Sequence, residues 1–219
     1  MKKNLYKINS ILFIVWTLAN AYGQTQDLKA KTLLNQVNQK VESYNNIQID
    51  FKYVLENEAE NVRQETKGKL TIQDNKYVLE ILGIQRIFDG ETVFTISLED
   101  QEVTISKENS ENESSISPTA LLNFFETGYN YEMDISNDKS GRKIQYIKLT
   151  PIDSESEIEY ALLGIDVKTK HIHNIIEIGD NSTKTVFTVL NFETNANLPK
   201  DLFNFDASKY ANYYINNLD

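Results

Sequence analysis

The two histidines of the chain, His171 and His173, have the residue type and spacing that could bind a metal ion. Two residues apart on a strand, their side chains would lie on one face, and two imidazoles could contribute to a zinc-type site. No neighbouring acidic residue completes a set of ligands in that strand. We therefore predict no metal site and expect the surrounding hairpin to face solvent.

Carboxylates could act as general acids and bases, and they occur in two polar groups. These are Glu108, Glu111, Glu113, Glu155, Glu157 and Glu159. Their positions in loops and on alternating strand faces favour a solvated charged surface over catalysis. The chain has no Cys and none of the Gly-x-Ser-x-Gly, His-Glu-x-x-His or phosphate-loop motifs. We therefore predict that the protein is not an enzyme and has no cofactor and no disulfide bond.

The first 23 residues have the pattern of a secretory signal peptide. Three lysines precede the nine-residue apolar run Ile11–Ala19, and small residues follow it. Nine helical residues span about 14 Å, far less than the ~30 Å hydrocarbon core of a bilayer. We expect cleavage after Ala21 or Gly23 and export of residues 24–219 as one domain; an uncleaved anchor is the alternative. Because no Cys follows the run, we expect no lipid attachment at the new N-terminus.

The charge of the chain narrows the range of partners. The formal net charge is −10, and loss of the three lysines of the signal peptide would take it to −13. Such a negative charge disfavours nucleic acid and anionic lipid headgroups as partners. It favours solubility and a basic or apolar partner.

Residues 27–44 are predicted to form an amphipathic helix that begins at an Asp27 cap and ends at Asn45-Asn46. Its apolar residues recur every three or four positions and are Ala30, Leu33, Leu34, Val37, Val41 and Tyr44. From Ile47 onward the period becomes two, which predicts a meander of about ten or eleven antiparallel strands. The predicted fold class is therefore mainly β (α+β). A strongly curved antiparallel sheet of this length, capped by helices, should enclose a cavity.

A second helix is predicted in mid-chain, after a polar loop at residues 107–117. Ser117 would cap it, Pro118 would take its first position, and Gly128 would end it. Because this helix is apolar on most sides, we expect it to lie on or in the concave face of the sheet. The apolar residues expected to attach the chain end to the core are Leu202, Phe203 and Phe205.

The predicted cavity would be lined by apolar residues of the strands and of the mid-chain helix. These candidate ligand-binding residues are Phe51, Tyr53, Leu79, Phe94, Ile96, Leu121, Leu122, Phe124 and Phe125. Ordinary packed core is the alternative for each one. A curved sheet whose interior is filled by its own side chains would not need an apolar helix to cover it. The set as a whole therefore favours a binding cavity.

Several short motifs occur in a characteristic order along the chain. They are Asp50-Phe51, Gly68-Lys69-Leu70, Asp89-Gly90-Glu91-Thr92-Val93-Phe94, Ser117-Pro118-Thr119-Ala120-Leu121-Leu122 and Leu202-Phe203-Asn204-Phe205. In this order the chain resembles the periplasmic outer-membrane lipoprotein carrier family (LolA-type), in a form similar to those of Bacteroidetes. The resemblance covers the whole of residues 24–219.

The resemblance implies an incomplete β-barrel closed by a helical lid. It implies a monomeric periplasmic carrier whose cavity shields the acyl chains of lipid-modified proteins. An inner-membrane lipoprotein-releasing transporter and an outer-membrane acceptor would be its partners. Burying acyl chains is worth roughly 0.8 kcal/mol per CH₂, so a lipoprotein that crosses water needs such a cover.

Two departures from the family pattern put the control of the lid and the cargo in question. The family has an Arg-Pro pair after the Gly-x-Leu strand, and Asp74-Asn75 stands there in this chain. A terminal Tyr-Pro-Gly is replaced by Tyr210-Ala211-Asn212. A binding or sensing module of the same fold, without transfer activity, is therefore an alternative. A lipid hydrolase is a third, but it would need a nucleophile that the sequence does not reveal.

Overall fold

The computed structural model describes residues 27–107, 122, 124–139 and 141–218. Within these residues the regular structure consists of one α-helix, twelve strands and short 3-10 turns at Phe124–Glu126 and Ala207–Tyr210. The helix and strands are α1 (Leu28–Glu42), β1 (Ile47–Asn57), β2 (Val62–Gln73), β3 (Lys76–Ile81), β4 (Ile84–Phe88), β5 (Thr92–Ser97), β6 (Glu102–Lys107), β7 (Tyr129–Lys139), β8 (Arg142–Pro151), β9 (Ile158–Asp166), β10 (Ile172–Gly179), β11 (Lys184–Thr194) and β12 (Tyr214–Asn217).

The twelve described strands join one curved sheet in the order β12-β6-β5-β4-β3-β2-β1-β11-β10-β9-β8-β7. Neighbouring strands are antiparallel, except that β12 pairs with β6 in parallel. Strands β12 and β7 form the two edges, so the sheet stays open. The predicted fold class, a mainly β protein with a strongly curved antiparallel sheet and a helix, is confirmed. The sequence predicts ten or eleven strands, and β12 is not among them.

Helix α1 forms where the apolar period of three and four predicts it. Ala30, Leu33, Leu34 and Val37 are its buried residues, and they form a single stripe. The carboxylate of Asp27 accepts hydrogen bonds from the first turn, as expected of an N-cap. The helix therefore lays one apolar face on the sheet.

Apolar side chains cover both faces of the sheet because the side chains of a strand alternate between its faces. We call the group packed around α1 the helix-side cluster. Its strand members include Ile47, Ile49, Phe51, Leu70, Ile72, Tyr77, Phe88, Val93, Ile147, Leu149, Leu163 and Phe187. We call the group on the opposite face the tail-side cluster. Its buried members are Val78, Ile87, Ile96, Val103 and Phe203.

The chain after β11 crosses the sheet and covers the tail-side cluster. Phe203 is 6% exposed within this cluster, and Leu202 and Phe205 pack against it. Attachment of the chain end to the core by these three residues, as predicted, is therefore confirmed.

Most of the predicted mid-chain helix and the loop before it lie outside the described residues. The described part consists of Leu122 and the 3-10 turn Phe124–Glu126, which Gly128 follows at a φ of +83°. Residues 1–23, the predicted signal peptide, also lie outside the described residues. In the part of the chain that the structure describes, no helix is both long and apolar enough to cross a membrane.

Candidate functional site

The helix-side cluster is covered by α1 together with the segment around Leu122 and Phe125. Leu122 is 5% exposed and Phe125 is 1% exposed, and both pack into the cluster beside α1. The Asn38 side-chain amide of α1 donates a hydrogen bond to the Glu126 carboxylate at the surface. We call α1, Leu122 and the turn Phe124–Glu126 the cover, since they lie between the apolar strand residues and solvent.

The N-terminal end of the cover is attached to the edge strand β7. One carboxylate oxygen of Asp27 accepts hydrogen bonds from the backbone N–H groups of Lys29, at 2.7 Å, and Ala30, at 3.3 Å. The other accepts from the Met133 N–H of β7 at 3.1 Å. The Asp27 N–H donates to the Tyr131 carbonyl of β7 at 3.3 Å. Asp27 therefore caps the helix and occupies part of the open sheet edge.

The pKa of the Asp27 carboxyl lies below its usual value, mainly because of the hydrogen bond from the Met133 N–H and then that from Lys29. These donors favour the ionised carboxylate. The attachment of α1 to β7 is therefore a charge-assisted contact at the protein surface.

The C-terminal end of the cover is held by an aromatic group. The Tyr44 hydroxyl lies 2.7 Å from Nε2 of His171. The His171 ring stacks on Phe192 of β11, with ring centroids 4.1 Å apart. Burial lowers the pKa of His171, and the nearby Lys40 lowers it further, while Asp166 raises it. His171 therefore favours the neutral form and joins the end of α1 to β11.

This arrangement gives His171 a structural role without a metal ion. His171 precedes β10, and one of its ring nitrogens is engaged by Tyr44. Among the described residues, no group of three or more His, Asp or Glu side chains has the arrangement of a metal site.

Glu177 of β10 is a residue of this face that the sequence reasoning missed. Its side chain lies on the same face of β10 as that of Ile175, and it pairs with Ala161 of β9. Ile175 and Ala161 both belong to the helix-side cluster. Burial raises the pKa of Glu177, and burial together with the charge of Glu177 raises that of Tyr129. The signal in the sequence was an acidic residue at a strand position where the alternation predicts an apolar, inward-facing side chain. Glu177 places a poorly solvated carboxyl at the margin of the apolar face.

The described candidate cavity residues divide between the two faces. Phe51, Leu122 and Phe125 are buried in the helix-side cluster, and Tyr53 and Leu79 pack at its margin. Ile96 is buried in the tail-side cluster, and Phe94 packs against that cluster.

The prediction that all the candidates line one cavity is therefore corrected for Phe94 and Ile96. These two residues alternate with Val93 along β5 and face away from α1. Leu121 lies outside the described residues. Phe124 opens the 3-10 turn of the cover.

The residues at the position of the family Arg-Pro pair form the turn between β2 and β3. Asp74 has a φ of +54°, and the Asn75 side-chain amide donates to the Gly90 carbonyl at 3.4 Å. Asp74 also borders a cavity of about 360 Å³ between the end of α1 and the segment of Leu122 and Glu126. An acidic side chain therefore lies beside the cover at the place where the family has an arginine.

Residues 42–206 match the family described as "Outer membrane lipoprotein carrier protein LolA", which amounts to most of the chain. The chain belongs to the LolA family. No curated protein sequence is significantly similar to it. The family assignment agrees with the observed open sheet and helical cover, and this fold is one of binding and carriage.

Solved structures with the LolA-like fold are distant in sequence. An uncharacterized conserved protein from Thermus thermophilus has 9% identity and a TM-score of 0.59, over 85% of this chain and 98% of that one. LprF from Mycobacterium bovis has 10% identity and a TM-score of 0.52, over 80% and 98%. A putative outer membrane lipoprotein-sorting protein domain from Vibrio parahaemolyticus has 10% identity and a TM-score of 0.47, over 80% and 96%. At these identities the first two support the fold alone.

Proposed function

We propose that this chain is a periplasmic carrier that binds the acyl chains of lipoproteins on its helix-side face and shuttles them toward the outer membrane. A signal peptide at residues 1–23 would direct export, and residues 24–219 would form the carrier domain. An inner-membrane lipoprotein-releasing transporter would load it, and an outer-membrane acceptor would unload it. The carrier would act as a monomer without catalysis or a cofactor, and it would be a member of the Bacteroidetes type.

The observation that carries this proposal is the construction of the cover. Beneath the cover lies a broad apolar face, and the polar contacts at the two ends of α1 are ones that water can replace. These are the Asp27 contacts with β7 and the contact of the Tyr44 hydroxyl with His171. Beside the latter, the Tyr44 ring packs on His171 and Phe192. Displacing the cover would expose strand side chains suited to acyl chains, and roughly 0.8 kcal/mol per buried CH₂ would offset that exposure.

The test is to purify the exported protein from the periplasm and identify bound acylated proteins by mass spectrometry. We expect them with the unaltered chain and fewer with Leu79→Asn, which places a polar group at the margin of the helix-side cluster. Ile135→Asn is the matched control, because Ile135 is 59% exposed. Circular dichroism would check that both variants fold. The proposal fails if no acylated protein is bound and lipoprotein sorting stays normal after depletion of the chain.

A binding or sensing module without transfer is the second candidate, and Asp74 favours it. The family arginine that helps hold the lid is absent, and a carboxylate lies beside the cover instead. Loaded protein mixed with outer-membrane vesicles separates the two functions. Transfer of the lipoprotein to the vesicles supports the carrier, and a complex that keeps its ligand supports the module.

A further inference from the structure

A second pocket, of about 760 Å³, lies apart from the cover. It crosses β1, β2, β3 and the start of β4, and no described residue of α1 or of the segment 122–126 lines it. Its volume is in the range of small-molecule sites, roughly 300–1,000 Å³. The side chains of Asp50, Lys67, Lys69 and Glu80 border it and alternate with Phe51 and Gly68, so they point away from the helix-side cluster.

One backbone feature shapes this pocket. Strand β11 has a β-bulge, since Phe51 pairs with Val189 and Asp50 with Asn191, which leaves Leu190 as the extra residue. Bulges are over-represented next to active sites.

Three exposed leucines form the apolar part of the pocket. Leu82 is 74% exposed, Leu98 is 57% exposed and Leu190 is 52% exposed. Leu82 and Gly83 form the two-residue turn between β3 and β4, and their φ values of +54° and +75° are those that a type I′ turn requires. The turn therefore holds the Leu82 side chain at the surface.

The pocket also presents both signs of charge in one row. Asp50 pairs in register with Lys69, which pairs with Glu80. Lys67 lies beside them on the same face of β2. Neither lysine forms an ion pair with another described residue, although such pairs occur on the same face between Arg63 and Glu65. Glu80 accepts a hydrogen bond from the Gln85 side-chain amide, and Asp50 accepts one from that of Asn191. Each carboxylate keeps further lone pairs, so the row can receive a ligand with two opposite charges.

We propose that this pocket is a second binding site, for a single-chain zwitterionic amphiphile. The leucines would contact its alkyl chain, Lys67 and Lys69 its phosphate, and Asp50 and Glu80 its ammonium group. The site shares Phe51 with the helix-side cluster, while the cover contributes no described residue to it.

The test is titration calorimetry of the exported protein with lysophosphatidylethanolamine below its micelle concentration. We expect saturable binding that Leu82→Asp and Leu190→Asp each weaken by about tenfold or more, as loss of one leucine contact implies. Both residues are exposed, so these variants should fold. Ile152→Asp is the matched control, since Ile152 is 62% exposed and lies outside the pocket.

The charges of the headgroup provide a second part of the binding test. The double substitution Lys67→Gln and Lys69→Gln should weaken lysophosphatidylethanolamine binding, whereas Lys31→Gln on α1 should not. Lysophosphatidic acid, which lacks the ammonium, should bind more weakly than lysophosphatidylethanolamine. The proposal is overturned by an absence of saturable binding, by affinities that the two leucine variants leave unchanged, or by equal loss in the Ile152→Asp control. Lipoprotein co-purification is a separate readout, so either proposal can fail while the other stands.

Discussion

The helix-side and tail-side faces of the sheet are both apolar, but their covers are attached in different ways. The helix-side cover is held at one end of α1 by a surface carboxylate. At the other end it is held by Tyr44, through its hydroxyl and through its ring contacts with His171 and Phe192. The tail-side cover is a run of stacked rings, in which Phe205 lies 4.5 Å from Phe94 and 5.4 Å from Tyr210 between centroids.

The tail is also fixed at both of its ends. Its beginning exchanges two hydrogen bonds of 2.9 Å between the Asn46 side chain and the Ala196 backbone. Its end continues into β12, which pairs with β6. Opening the tail would break a strand pair, whereas opening the helix-side cover would leave the sheet intact. Under the proposed function, the helix-side face would be the one that opens, and the tail-side face would stay permanent core.

Truncating one buried phenylalanine under each cover should give the largest difference. Phe203→Ala should lower the free energy of unfolding by about 3–5 kcal/mol, because the tail packs in the core. Phe125→Ala should lower it less, since the cover opens locally before the sheet unfolds. Urea unfolding followed by circular dichroism measures both values. An equal loss in the two variants would contradict a distinction between the covers.

Asp27→Ala should release the start of α1 from β7. The folded-state pKa of Asp27 is lowered, so its stabilising contribution is present above the usual value of 3.8 and is lost as the pH falls through the lowered value. At neutral pH the variant should therefore show faster hydrogen exchange at Ala30 and Met133, and unchanged exchange around Phe203. The difference from the unaltered chain should shrink at strongly acidic pH. Faster exchange around Phe203 would show that the covers are not independent.

Tyr44→Phe should loosen the other end of the cover by a smaller amount. It removes the hydroxyl from His171 while keeping the ring, which costs about 0.5–1.5 kcal/mol for one hydrogen bond. NMR titration should then give His171 a changed pKa. Tyr213→Phe on the tail is the control and should leave the His171 titration unchanged. A His171 titration that Tyr44→Phe does not alter would contradict the contact.

Glu177→Gln should stabilise the protein slightly at neutral pH, because it removes a poorly solvated charge from the helix-side face. The folded-state pKa of Glu177 is raised, so the unaltered chain gains stability as the pH falls from the raised value toward the usual 4.5. The advantage of the variant should therefore disappear in acid. Thermal unfolding at several pH values checks this, with the exposed Glu159→Gln as control. A constant difference at all pH values would be inconsistent with a buried charge.

Local patterns in the sequence were sufficient to predict α1 and the strands β1–β11, but not the face on which each residue lies. The spacing of Leu33, Leu34 and Val37 predicted α1, and the apolar tail residues predicted the attachment of Phe203. Strand β5 is apolar on both faces, so alternation alone could not assign Phe94 and Ile96 to the tail side. Assignment to a face needs the pairing partners.

Long-range contacts were also beyond a local pattern. Asp27 was predicted as a helix cap, but its second oxygen binds Met133 of β7, far along the chain. Strand β12 has the sequence Tyr-Ile-Asn-Asn, which is short and polar. Its pairing with β6 depends on the path of the tail across the sheet. The pocket at Leu82 and Leu190 likewise brings together residues that are far apart in the sequence.

Hydrogen exchange of the protein with and without a synthetic triacylated lipopeptide tests the central claim most directly. Without the lipopeptide, α1 and residues 122–126 should exchange faster than residues 198–213 and β3–β6. The lipopeptide should change exchange in the cover and under it, at Phe51 and Leu149, and leave the tail unchanged. A cover that exchanges as slowly as the tail, or a lipopeptide effect confined to the tail, would contradict the account.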